Sequence, residues 1–171
     1  MRIMLHKRKD YRLKEYDYSS PGSYFITVCV KNREPILWEN VGARIARPQF
    51  EDNLSRYGVV VSEAISNINK FYPMITVDKY AIMPDHLHLI LTIKESLPKH
   101  EQGRAVRAPT IATVINQMKG YVTKKAGFSF WQKLYYDHII RNEEEYNSVW
   151  QYIDINPQTW IEKQQRENSK S

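Results

Sequence analysis

The segment "YAIMPDHLHLILTI" (80–93) sets His86 and His88 two residues apart in an otherwise apolar run. Side chains alternate across a β-strand, so the two imidazoles share one face while Leu87, Leu89, Leu91 and Ile93 share the other. The leucine side supplies a core-facing stripe, which leaves the histidine side as the expected helix-free face. Two imidazoles on neighbouring same-face positions can grip one divalent cation, because neutral imidazole is the commonest nitrogen ligand near pH 7. A purely structural pair is the competing reading. Two ligands do not complete a metal site, so a third donor must come from elsewhere.

The segment "NEEEYNSVWQYIDINP" (142–157) offers one. It reads as a helix over 143–156, with Asn142 as N-cap, Glu145 at the capping-box position and a stop before Pro157. At 100° per residue, Tyr146, Val149, Trp150 and Ile153 form an apolar stripe that should pack on the domain. Tyr152 and Asn156, four apart, lie together on its flank. A tyrosine there can act as a nucleophile, and the amide oxygen of Asn156 can be a third, oxygen ligand. With 12 tyrosines in the chain, a half-buried structural Tyr152 remains the alternative. Tyr135 and Tyr136 are rivals as nucleophiles, but they fall on a strand and lack the Asn partner.

The elements that must carry these residues follow from pattern. "SYFITVCV" (23–30) is β-branched and aromatic and reads as a strand. "NLSRYGVVVSEAISNINKFYP" (53–73) has helical spacing, with Val60, Ala64, Ile65, Ile68 and Phe71 inward and Pro73 at its end. "MITVDKYAIM" and "HLHLILTI" are strands joined by a turn at "MPD". A second helix turns Ile111, Val114, Ile115, Met118 and Val122 inward, with Tyr121 on the same stripe and Gly127 after its end. "LYYDHIIR" (134–141) is a fourth strand. The order β-α-β-β-α-β plus a helix predicts an α+β, ferredoxin-like split βαβ fold, an antiparallel sheet with two helices on one face. "VGARIARPQ" (41–49) and "QGRAVRAPT" (102–110) resemble each other and read as loop insertions; their Arg44, Arg47, Arg104 and Arg107 could touch phosphates.

Composition bounds the partners. The 171 residues suit one domain with tails. Lys+Arg 25 against Asp+Glu 19 leaves a net charge of +6. The basic residues cluster in "MRIMLHKRKDYRLKE" and in "KGYVTKKAGFSFWQK" (119–133), where aromatics stand between lysines. Such a pattern favours nucleic acid over a membrane surface. Arg8, Arg12, Lys119, Lys124, Lys125 and Lys133 are the candidate nucleic-acid contacts. The single cysteine, Cys29, excludes an internal disulfide, fits a reducing compartment and reads as a small buried hydrophobe. No apolar run is long enough to span a membrane, so the expected location is the cytoplasm.

Taken together, "MPDHLHLILTI" and "FWQKLYYDHIIRNEEEYNSVWQYIDINP" resemble the single-tyrosine HUH transposases, and within them the REP-associated tyrosine transposases. The resemblance runs from about residue 18 to 160. It implies a basic N-terminal arm at 1–17, a catalytic domain at 18–160 and a polar C-terminal tail at 161–171. It implies that His86, His88 and Asn156 bind a divalent metal, Mg²⁺ or Mn²⁺, and that Tyr152 attacks DNA to give a 5′-phosphotyrosine. The implied substrate is single-stranded or hairpin-forming repeat DNA. Monomers and homodimers with shared active sites both occur among such proteins, so the assembly stays open. His138 belongs to the pattern without a role that its chemistry identifies. The rival function is a non-catalytic DNA- or RNA-hairpin-binding module on the same fold.

Overall fold

The computed structural model describes residues 17–39, 53–94 and 109–169. Arg8, Arg12, the segment 41–49 and most of 102–110 lie outside these residues. Four strands, β1 (Gly22–Cys29), β2 (Ile75–Ile82), β3 (His86–Ile93) and β4 (Tyr136–Ile140), and helices α1 (Arg56–Phe71), α2 (Ile111–Ala126) and α3 (Glu143–Asn168) follow in the order β1-α1-β2-β3-α2-β4-α3. The sheet order is β2-β3-β1-β4 and every pairing is antiparallel. This is the expected ferredoxin-like α+β fold.

One sheet face carries Tyr24, Ile26 and Val28 of β1 with Leu87, Leu89, Leu91 and Ile93 of β3, all buried in one core with the inner residues of α1 and α2. The α2 stripe is as expected: Ile111, Val114, Ile115, Met118 and Val122 are buried, and Gly127 caps the helix at φ 84°. A left-handed residue costs glycine nothing there. Tyr121 packs at the core's edge, where its hydroxyl reaches Glu63. In α1 the buried stripe is Gly58, Val61, Ala64, Ile65 and Ile68. Val60 is only partly buried and Phe71 is 70% exposed, because the stripe's phase is set by Gly58. A Cβ on Gly58 would stand 2.2 Å from the Leu37 carbonyl oxygen, so the helix approaches the chain there as only glycine allows.

The opposite face is not bare. α3 lies across it, and Val149 and Ile153 pack on Phe25, Ala81, Ile90 and Ile140 in a second, smaller core. Trp150, expected in that stripe, is 36% exposed and sits beside Lys79 instead. The helix also does not stop before Pro157 but runs on to Asn168. Pro157 forfeits one backbone hydrogen bond, yet anchors on both sides hold the helix on course. Ile153 and Ile161 are buried, and the Trp160 ring meets Trp38 edge-on at 5.4 Å. Ile161 thus belongs to the main core, and the residues after it continue α3 to Asn168.

Candidate active site

β3 pairs with β1 so that His88 faces Thr27 and His86 faces Cys29. The imidazoles turn their Nε2 atoms toward each other at 3.1 Å. Each Nδ1 is occupied by a neighbour. Asp85 Oδ1 lies 2.5 Å from His86 Nδ1, and Thr27 Oγ1 lies 2.8 Å from His88 Nδ1. Burial alone would raise the Asp85 pKa, but its bond to His86 and the charges of His86 and Arg33 hold it below the ordinary value. Asp85 is thus an ionised acceptor, and His86 donates to it from Nδ1, leaving Nε2 to face His88. The Thr27 hydroxyl can donate or accept, so it permits either tautomer of His88.

His88 is 4% exposed. Burial, then repulsion from the protonated form of His86 and from Arg33, push its pKa down to about 3, with Asp85 opposing. It is a neutral imidazole at physiological pH, as a metal ligand must be. The "MPD" turn is itself fixed. The Asp85 and Pro84 carbonyls accept from the Val30 and Leu37 amides, each at 2.9 Å, and Met83 is fully buried. Asp85, Thr27 and Arg33 were not among the expected site residues. Asp85 was legible as the residue preceding "HLH"; Thr27 needed the strand register.

Arg33 reaches the site through an unusual turn. Asn32 and Arg33 both have left-handed backbones, at φ 57° and 59°, a conformation that costs non-glycine residues energy. The guanidinium lies 3.4 Å from Asp85 Oδ2 and donates to Cys29 Sγ at 3.1 Å. Cys29 is consequently a half-buried, hydrogen-bonded thiol on the histidine face, not a core residue. Alternation along β1 puts 25, 27 and 29 on that side.

α3 delivers Tyr152 from the same chain. Its ring stands 5.3 Å from the His88 ring and meets Phe25 edge-on at 6.0 Å. Asn156 follows one turn later, half-buried, on the side of the helix that carries Tyr152. At the start of α3, Asn142 Oδ1 accepts from the Glu145 amide at 2.8 Å. The Glu145 carboxylate does not close a capping box on Asn142. It takes the Arg141 amide at 2.8 Å and His138 Nε2 at 2.6 Å. His138 thereby ties β4 to the first turn of α3.

The family described as "Transposase IS200 like" matches residues 19–156. The chain is a member of the IS200-like transposase family. An uncharacterised protein of Haemophilus influenzae is 37% identical over 177 residues, covering 94% of this chain and 93% of that one. A REP-associated tyrosine transposase of Escherichia coli is 24% identical over 141 residues, or 82% of this chain and 68% of that one. Among solved structures, a REP-associated tyrosine transposase bound to a REP hairpin is similar in fold, with a TM-score of 0.59 and 22% identity over 91% of this chain and 74% of that one.

The donor set of this IS200-like transposase suits a divalent ion. Two ligands at right angles, each about 2.1 Å from an octahedral ion, stand about 3.0 Å apart, close to the observed Nε2 separation. Among the described residues no group of three or more His, Cys, Asp or Glu side chains is arranged to hold a metal. Among those residues a third protein donor would be an amide or hydroxyl oxygen, the chemistry Asn156 offers. Of the basic candidates, Lys124 and Lys125 are exposed on the last turn of α2, and Lys133 is exposed on the segment after it. The Lys119 ammonium donates to the Gln132 and Lys133 carbonyls at 2.8 and 3.1 Å. It holds the 130–133 segment, which lies against Cys29–Lys31 through the Lys31 to Phe130 and Gln132 to Cys29 hydrogen bonds. Among the described residues no helix is long and apolar enough to cross a membrane.

Proposed function

We propose that this transposase-family chain is a metal-dependent enzyme that nicks and rejoins single-stranded DNA at hairpin-forming repeats through Tyr152. The observation that carries the reading is the packing of the Tyr152 ring on His88, beside two Nε2 atoms that converge with their other nitrogens already engaged. A helical tyrosine brought next to an ion-binding pair is the arrangement that phosphoryl transfer needs, a nucleophile and positive charge at one phosphorus. That a relative of the same fold is bound to a REP hairpin supports hairpin DNA as the substrate class.

The Tyr152 oxygen attacks the scissile phosphorus and loses its proton to solvent. The bond from phosphorus to the 3′ oxygen breaks, that oxygen takes up a proton, and the products are a 5′-phosphotyrosine and a free 3′-OH. Attack by a 3′-OH on the phosphotyrosine reverses the step and joins strands, since the phosphodiester energy is conserved in the covalent link. A divalent ion held by His86, His88 and Asn156 supplies, when bound, charge neutralisation at the phosphate. Asp85 and Thr27 orient the two imidazoles, and Phe25 restrains the tyrosine ring. Lys124, Lys125 and Lys133 contact the DNA backbone, joined by Arg8 and Arg12 of the N-terminal arm.

With a 5′-labelled hairpin oligonucleotide and Mg²⁺ or Mn²⁺, the wild-type chain is expected to nick the strand. His86→Ala is expected to abolish nicking while hairpin binding persists. Equal nicking by His86→Ala contradicts the metal assignment. Hairpin binding with no cleavage by the wild-type chain under any divalent ion favours the non-catalytic binding module.

A further inference from the structure

The position of Tyr152 depends on where α3 comes to rest, and several of the polar contacts that fix it lie on edge strand β2. β2 and β3 are in register except between Val77, which faces Leu91, and Lys79, which faces Ile90. Asp78 is the extra residue of a β-bulge, and such a residue breaks the strict alternation of side chains. Asp78 and Lys79, adjacent in sequence, thus both engage α3. Asp78 Oδ2 accepts from the Tyr146 hydroxyl at 2.9 Å and the Thr92 hydroxyl at 2.5 Å, while Oδ1 accepts from Thr76 at 2.8 Å. The Lys79 ammonium pairs with Asp154 and lies 5.1 Å from the centre of the Trp150 ring.

Tyr146, Trp150 and Asp154 recur every four residues and form one stripe of α3. Asp78 holds its lower end and Lys79 its upper end, about 12 Å apart along the axis. Apolar contact through Val149 and Ile153 is non-directional and permits sliding. Two polar ties at different heights oppose both sliding and rotation. A slip of one helical turn would displace the Tyr152 ring by about 5 Å, which is comparable to its whole separation from His88.

We infer that the Val77–Lys79 bulge is a register clamp for α3, in which Asp78 and Lys79 are positioning residues that set the height and rotation at which Tyr152 meets His88. Its catalytic consequence rests on the strand-transfer reading above; its effect on docking does not.

The test uses the full chain and the variants Lys79→Met, Asp78→Asn with Lys79→Met, and the conservative Lys79→Arg. Amide hydrogen exchange is read along α1, α2 and α3, beside hairpin affinity and the rate of covalent adduct formation with Mg²⁺. In the double variant, residues 146–156 are expected to exchange about tenfold faster, with α1 and α2 unchanged. Its adduct rate should fall by about a hundredfold while hairpin affinity hardly moves, and Lys79→Arg should behave like wild type. Should the double variant be too unstable to isolate, Lys79→Met alone must show the same pattern more weakly. Exchange in α3 equal to wild type, or protection lost evenly from all three helices, overturns the clamp. A wild-type chain that forms no adduct, although α3 loosens selectively in the variants, sinks the strand-transfer reading and leaves the clamp standing.

Discussion

Asp85 shows how much of this site is made by residues standing behind the two imidazoles. Its carboxylate is kept ionised by His86 and Arg33, and through Nδ1 it fixes which nitrogen of His86 faces His88. Asp85→Asn preserves the shape but removes the charge, and an asparagine can turn a competing N–H toward the ring. Loss of such an outer partner costs about 10–100-fold in metal affinity. Titration of Mn²⁺ followed by electron paramagnetic resonance should show a loss of that order for Asp85→Asn; unchanged affinity would mean that the ring is oriented by packing alone. The shared face of the two imidazoles and the shared flank of Tyr152 and Asn156 were legible in sequence because alternation and helical offset depend only on local spacing, whereas their roles rested on the family resemblance. Thr27 and Arg33 were not legible, since the first depends on strand register and the second on a left-handed turn that no composition rule places at "KNR".

At the scale of the elements, burial phase decided where expectation held. Ile111, Val114, Ile115, Met118 and Val122 of α2 are buried as predicted, with Tyr121 only partly so, since the stripe is uninterrupted and ends on a glycine. In α1 the pattern around "GVVV" is ambiguous, and the close approach of Gly58 to Leu37 selects the phase. Gly58→Ala would gain about 1 kcal/mol in helix propensity, yet its methyl group collides with backbone rather than with a yielding side chain. We expect a net loss of about 1–3 kcal/mol, read as a lower urea midpoint with unchanged slope; a stabilised variant would contradict the packing at that point. The stop before Pro157 failed for the converse reason. A proline rule is local, whereas Trp160 and Ile161 are held by tertiary contact with Trp38 and the main core. The bulge at Asp78 was equally invisible, as an extra residue in an edge strand leaves no mark in the hydrophobic pattern.

For the whole molecule, the decisive feature is that sheet and helix of one chain build the site. α3 crosses the face opposite α1 and α2, so His86, His88 and Tyr152 meet without a second copy. Mixing Tyr152→Phe with His86→Ala, each expected to be inactive alone, should therefore restore no adduct formation; recovery on mixing would show that α3 is exchanged between chains. The central claim is that Tyr152 becomes joined to the 5′ phosphate of cleaved hairpin DNA. Its most direct test is to denature the protein after incubation with hairpin oligonucleotide and Mg²⁺, digest it, and locate the nucleotide-bearing peptide by mass spectrometry. The expected result is a phosphodiester-linked 5′ nucleotide on Tyr152, absent from Tyr152→Phe. An adduct on Tyr135 or Tyr136, or one that survives Tyr152→Phe, would contradict it.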